Sequence, residues 1–428
     1  MNTELEMYRI TRLASGLTVA TAAMPHMASV SLGMWVGVGS RYESAWLSGV
    51  SHFIEHMLFK GTRRRTAKQI SQDVEGIGGY SNAFTAEENT CFFAKARHDR
   101  FRDLLDVHMD MFLNSRFDPA EVEKEREVIQ EEVAMYLDQP QQLVQELLNE
   151  IQWPDQALGR SITGSAQNVA SLIRDDIVRY QRHHYLAANS LVVAAGRLDH
   201  DTVVNAAARY QRFFNRGKPA GYLPVRNHQT QPRVRLVTKP TEQTQMALGI
   251  RTCSRHDEQR YALRLLNTIL GENSSSRLFQ VIREDRGLAY SISSCLSHFD
   301  DVGDLVVSAG LDADKLAETL RLVVRELRRL TEKAPARAEV RRALDYVIGQ
   351  IDLNLENTEN QMLWMGEQLV GHGRIYSAAE VKHKLCQITP GAIAAAARAY
   401  FQATRLNLAL VSPLKKDTGL ASLLARCA

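Results

Sequence analysis

The rhythm of hydrophobic and polar positions changes several times along this chain, and each rhythm predicts an element. From Ser29 to Arg41 the run SVSLGMWVGVGSR alternates in strand fashion. The following SGVSHFIEHMLFK switches to helical spacing and is closed by Gly61, a C-terminal stop. Asp118-Pro119 offers an N-cap with proline at the first helical position, so AEVEKEREVIQEEVAMYL is predicted as a long helix. The coarse order is strand, helix, helix, strand, two or more long helices, strand.

That order occurs twice. TQMALGIRTCSR, from Thr244, echoes the first strand and sets Leu32-Gly33 against Leu248-Gly249 at an offset of 216. HYLAANSLVVAAG, from His184, aligns with YFQATRLNLALVS, from Tyr400, at the same offset of 216. Between these anchors GGYS around Tyr80 and LAYS around Tyr290 align at 210, which implies a small indel. Two distant anchors sharing one offset describe a duplicated domain of roughly 200 residues. The intervening RGKPAGYLPVRNHQTQPR holds three prolines and two glycines, the composition of an extended linker. The expected domains are therefore 1–215 and 233–428, joined by a linker over 216–232. The expected fold class is α+β, with two homologous domains, each a mostly antiparallel sheet backed by helices.

Composition narrows the function classes. Apolar residues make up 45% and charged residues 24%, globular proportions that exclude collagen, low-complexity disorder and a coiled-coil rod. A net charge of +3, from 52 basic against 49 acidic side chains, gives no reason to expect nucleic acid or an anionic membrane as partner. No run of 18 apolar residues occurs, so no membrane span is expected. The opening MNTELEMYRI carries Glu4 and Glu6 where a signal peptide would carry basic and then apolar residues, which points to a cytoplasmic protein. Cys91, Cys253, Cys295, Cys386 and Cys427 are odd in number and form no CxxC pair; they read as reduced thiols, mostly buried.

The chemistry gathers in the first copy. His52-Phe53-Ile54-Glu55-His56 sets two histidines four apart on a helix, where their rings share a face and can reach one metal ion. Glu55 sits beside that face, within reach of a water at the metal without ligating it. This is the mirror order of HExxH, the inverzincin pattern. A catalytic zinc takes a third protein ligand, and the helix opened by Asp118 offers Glu125, Glu131 and Glu132. Spacing alone does not choose among them. Glu125 and Glu132, seven apart, share one face, whereas Glu121, Glu123, Glu127 and Glu131 fall elsewhere and read as solvated charge. Shifting positions 52, 55 and 56 by 216 lands on Thr268, Gly271 and Glu272, so the second copy has lost both histidines and the base.

HFIEHMLFKGT, followed 76 residues after His56 by Glu132 within EREVIQEEVAMYLD, resembles the pitrilysin family of zinc metallopeptidases. That family includes the insulin-degrading enzyme and the mitochondrial processing peptidase, and the half-length chain looks most like the processing-peptidase branch and its bacterial relatives. The resemblance covers nearly the whole chain. It implies His52, His56 and Glu132 as ligands of one Zn2+ per chain, Glu55 as general base and Glu125 as an acidic residue orienting a ligand. GGYSNAFTAEENTCFF resembles the family's edge strand, which implies that Asn82 and Ala83 contact the substrate backbone. SSRLFQVIREDRGLAYSIS resembles its Arg and Tyr segment, which implies that Arg283 and Tyr290 hold the substrate carbonyl. The implied activity is zinc-dependent hydrolysis of unfolded peptides in a chamber of four such domains, so a two-domain chain is expected to form a homodimer. The alternatives are one half of a heterodimeric peptidase and, from a different class, a non-catalytic structural or partner subunit.

Overall fold

The computed structural model describes residues 7–416 and 419–425; Glu4, Glu6 and Cys427 lie outside the described residues. Two compact units emerge. One comprises Met1–Ala134, Arg160–Leu223 and Asp352–Ser377; the other comprises Met135–Gly159, Pro224–Ile351 and Ala378–Ala428.

The first unit is built on a six-stranded sheet of β1 (Tyr8–Arg12), β2 (Thr18–Ala23), β3 (Ser29–Val36), β4 (Tyr80–Thr85), β5 (Thr90–Arg97) and β6 (Ser190–Gly196). Its order is β1-β2-β6-β3-β5-β4, antiparallel throughout except for the parallel β2–β6 pair. The second unit holds β7 (Arg233–Thr238), β8 (Thr244–Thr252), β9 (Ala289–His298), β10 (Gly303–Leu311) and β11 (Leu406–Ser412), in the order β7-β11-β8-β10-β9. Here too a single pair, β7–β11, is parallel. Without β1, the two sheets have the same order and the same parallel pair. Strands β6 and β11 stand 216 residues apart, the offset of the sequence repeat. The α+β expectation, two homologous domains with mostly antiparallel sheets backed by helices, holds.

The strand period divides each sheet into two apolar faces. On β3, Val30, Leu32, Met34 and Val36 enter one core with Phe53, Ile54 and Met57 of the Val50–Leu58 helix and Leu104 of the Phe101–Asn114 helix. Trp35 points the other way, into a second cluster with Met362, Met365 and Leu369. Those three belong to the Thr358–His372 helix, which lies within the second copy in sequence yet belongs to the first unit. Gly33 lets that helix close in, because a Cβ there would collide with Met362. Ser31 Oγ meets Thr358 Oγ1 at 2.9 Å beside it.

The second unit repeats the device. Met246, Leu248 and Ile250 of β8 join the main core, while Ala247 packs with Leu143, Val144, Leu147 and Leu148 of the Pro140–Gln152 helix. Gly249 sits under Leu148 and Gln152 as Gly33 sits under Met362. Compactness thus divides the chain differently from the repeat: each copy lends one helix to the unit built on the other. The physical reason is that both faces of each central strand are apolar and both need cover.

The four described cysteines are free; Cys91 and Cys253 are buried, whereas Cys295 and Cys386 are exposed. No helix among the described residues is long and apolar enough to cross a membrane.

Candidate metal centre

The Val50–Leu58 helix is held from its N-terminus. Gly49 adopts φ 95° there, and the carboxylate of Glu43 accepts from Gly49 N–H and Ser51 N–H, both at 2.8 Å. These bonds satisfy donors that a helix start leaves unpaired. Burial nonetheless dominates and pushes the Glu43 carboxyl up to about 7. Because Phe53, Ile54 and Met57 face the core, the other face carries His52, Glu55 and His56, with the two imidazole centroids 4.6 Å apart. The Pro119–Asp138 helix begins where Ala120 N–H donates to the Asp118 side chain at 3.0 Å. Its buried positions are Val122, Glu125, Ile129 and Val133, one stripe at helical spacing, with Glu132 beside them.

These two helices bring three donors together. Glu132 Oε2 lies 3.7 Å from His52 Nε2 and 3.6 Å from His56 Nε2. Donor atoms of His52, His56 and Glu132 all fall within 4.8 Å of one another, and among the described residues no other such group occurs. Tetrahedral zinc with bonds of about 2.0–2.1 Å sets its donors roughly 3.3 Å apart, and the two distances from Glu132 to the histidine nitrogens exceed that by only a few tenths of an ångström. Two imidazole nitrogens and one carboxylate oxygen are also the donor types that such an ion prefers. Of the three glutamates that spacing left open, Glu132 joins the histidines, Glu125 is buried behind them and Glu131 is exposed.

The protonation states suit a metal. Burial, followed by the neighbouring His56, pushes the His52 imidazole down to about 4, which leaves it neutral at pH 7. Glu125 Oε2 stands 3.1 Å from His56 Nδ1, and Glu125 Oε1 stands 2.6 Å from Lys60 Nζ. A carboxylate only accepts, so His56 carries its hydrogen on Nδ1 and keeps the Nε2 lone pair for the donor cluster. Burial would lift Glu125, but hydrogen bonds from His56 and Lys60 outweigh it and hold the group below its usual range. Glu55 is shifted the opposite way. Its burial raises it above the usual carboxylate range, although Thr85 Oγ1 donates to Glu55 Oε2 at 2.6 Å.

Comparison with known proteins bears on the chain as a whole. The family described as insulinase, peptidase family M16, matches residues 18–166, and the peptidase M16 inactive domain matches residues 171–347. An uncharacterised zinc protease of Streptomyces coelicolor is 37% identical over 95% of this chain and 90% of its own. The chain belongs to the M16 peptidase family. YmxG of Bacillus subtilis, also described as an uncharacterised zinc protease, is 33% identical over 93% of this M16 chain and 97% of its own. Among solved structures, a protease from Helicobacter pylori shares the fold with a TM-score of 0.90 at 21% identity, covering 95% of this chain and 99% of that one.

The remaining candidate residues of this M16 chain fall in two places. Asn82 and Ala83 lie on β4, the edge strand beyond β5, where Asn82 Oδ1 accepts from Ala83 N–H at 2.9 Å. Arg283 and Tyr290 belong to the second unit. They sit together there, with the guanidinium 5.9 Å from the Tyr290 ring and Tyr290 itself 75% exposed. Two residues escaped sequence reasoning: Thr85, which holds Glu55, and Lys60, which holds Glu125. Lys60 stands four residues after His56, so helical spacing was its one available signal. In the second copy the positions equivalent to the histidines carry Thr268 and Glu272. Glu272 is paired with Arg264 and accepts from Thr268 Oγ1 at 2.6 Å, so a guanidinium occupies the carboxylate there.

Proposed function

We propose that this protein is a zinc-dependent endopeptidase acting on unfolded peptides, with the ion held by His52, His56 and Glu132. The observation that carries the reading is the convergence of those three donors from two helices, with Glu55 beside them. Bound there, zinc supplies a Lewis acid that polarises a carbonyl and lowers the pKa of water towards about 7. Glu55 takes a proton from the attacking water and later delivers it to the leaving amine. Its raised pKa favours that exchange near neutral pH. Glu125 fixes the tautomer of His56, and Lys60 keeps Glu125 charged and in place.

In this reading Asn82 and Ala83 pair the substrate backbone along β4, adding it as a further strand. Arg283 and Tyr290 donate to the developing oxyanion, from the same chain or from a second copy, in a homodimer that encloses the substrate. Such donors are worth about 3 kcal/mol each in transition-state stabilisation. Among the described residues the second copy gathers no comparable donor group. The testing experiment is Glu55→Gln. Zinc content, measured by elemental analysis, should stay at one per chain while cleavage of a quenched peptide library collapses. Unchanged turnover in that variant removes Glu55 from the mechanism, and a wild-type chain without zinc removes the peptidase reading altogether.

A further inference from the structure

The first unit carries a second chemically distinctive hollow, and nothing in the peptidase reading uses it. It is a cavity of about 400 Å³ lined by Arg63, Arg116, Arg174 and Arg182, and among the described residues no carboxylate lines it. Four guanidiniums around one concave space repel one another, and an anion between them relieves that repulsion. Part of their capacity is already engaged. Arg116 reaches Asp118 at 3.2 Å, and Arg174 reaches Phe117 O at 2.5 Å and Asp175 at 3.4 Å. Among the described residues Arg63 and Arg182 form no ion pair and no side-chain hydrogen bond. Both are exposed towards the hollow and carry their full set of forked donors.

The hollow also sits at a junction. Residues 61–63 pair with 114–116 through Arg63 N–H to Asn114 O and Arg116 N–H to Gly61 O, both at 3.1 Å. Ser115 Oγ donates to Met57 O at 3.2 Å. The end of the His52 and His56 helix is thereby tied to the turn that launches the Glu125 and Glu132 helix. Within that turn Phe117 adopts φ 46°, a left-handed conformation that non-glycine residues rarely take and that surrounding contacts must maintain.

We propose that this hollow binds a small oxyanion of charge two or more, gripped chiefly by Arg63 and Arg182, and that its occupation stiffens the 112–118 turn. The chemistry read is that of tetrahedral phosphate or sulfate groups, or of paired carboxylates. This inference goes beyond the peptidase reading and needs no catalysis. The experiment titrates the full-length protein with sulfate, inorganic phosphate and succinate by calorimetry, at an ionic strength held constant with sodium chloride. Hydrogen exchange across 112–118 is followed in parallel.

Saturable binding is expected, weakened about a hundredfold in the double variant Arg63→Gln, Arg182→Gln, since each charged contact is worth roughly tenfold. The exposed Arg321→Gln variant should bind as the wild type does. Tetrahedral anions ahead of succinate would uphold the site and place its ligand among phosphate or sulfate esters. Succinate ahead would uphold it and place the ligand among dicarboxylates. Absence of saturable binding, or binding undiminished in the double variant, overturns the site. Binding without slower exchange across 112–118 overturns the stiffening.

Discussion

Glu125 is the residue whose removal tests the proposed centre most sharply, because it touches a proposed metal donor without being one. Its side chain is 5% exposed and spans His56 Nδ1 at 3.1 Å and Lys60 Nζ at 2.6 Å. Glu125→Ala deletes both contacts. His56, 22% exposed, can then recruit water to Nδ1 but loses the partner that orients its ring and raises its basicity. Loss of such a partner costs about 10–100-fold in metal affinity, or about 1.4–2.7 kcal/mol. Glu125→Gln keeps an oxygen for His56 but can turn an amide N–H towards the Lys60 ammonium, so it should fall near the lower end. The expected order of zinc affinity is wild type, then Gln, then Ala, measured by competition with a chelator of known affinity. Urea unfolding of the metal-free proteins runs alongside, because stranding buried partners also costs about 1–3 kcal/mol of stability. An Ala variant that loses stability yet binds zinc as tightly as the wild type would refute the reasoning. Glu125 would then be a structural partner of Lys60 alone.

Other expectations follow from the same geometry. Glu43 is protonated in the fold up to about 7 but ionises near 4.5 when unfolded, so its contribution to stability is lost as pH rises between those values. Denaturation midpoints of the wild type should carry that fall, and Glu43→Gln should flatten it; an identical slope in both removes the assignment. His52 acts with the opposite sign. The unfolded imidazole takes a proton near 6.5 and the folded one only near 4, so the metal-free protein should weaken as pH drops through that interval, and His52→Phe should not show that part of the slope. At Gly366 a Cβ would overlap the fully buried Trp35 indole, so Gly366→Ala should destabilise by about 1–3 kcal/mol in urea titrations followed by tryptophan fluorescence. Mixing inactive Glu132→Gln and Arg283→Ala proteins should restore part of the peptidase activity if the dimer builds its sites across two chains. No recovery after subunit exchange confines each site to one chain.

Much of this protein was legible in its residues because local chemistry dictates it. The spacing of His52 and His56 puts two imidazoles on one helical face whatever else the chain does. Asp118-Pro119 starts a helix because its N-cap and first-turn requirements are local, and the helix does run Pro119–Asp138. The 216-residue offset announces a duplication, and β6 and β11 keep it. Tertiary structure decided what no local rule could. Periodicity marks Glu125, Glu131 and Glu132 as helical glutamates, but only the packing of Val122, Ile129 and Val133 turns Glu132 to the histidines and buries Glu125 behind them. Lys60 and Thr85 look like ordinary polar residues until neighbouring carboxylates meet them. The loan of one helix between copies was invisible for the same reason. An apolar strand face shows that it must be covered, but which segment covers it depends on contacts between residues more than three hundred positions apart, such as Ser31 and Thr358.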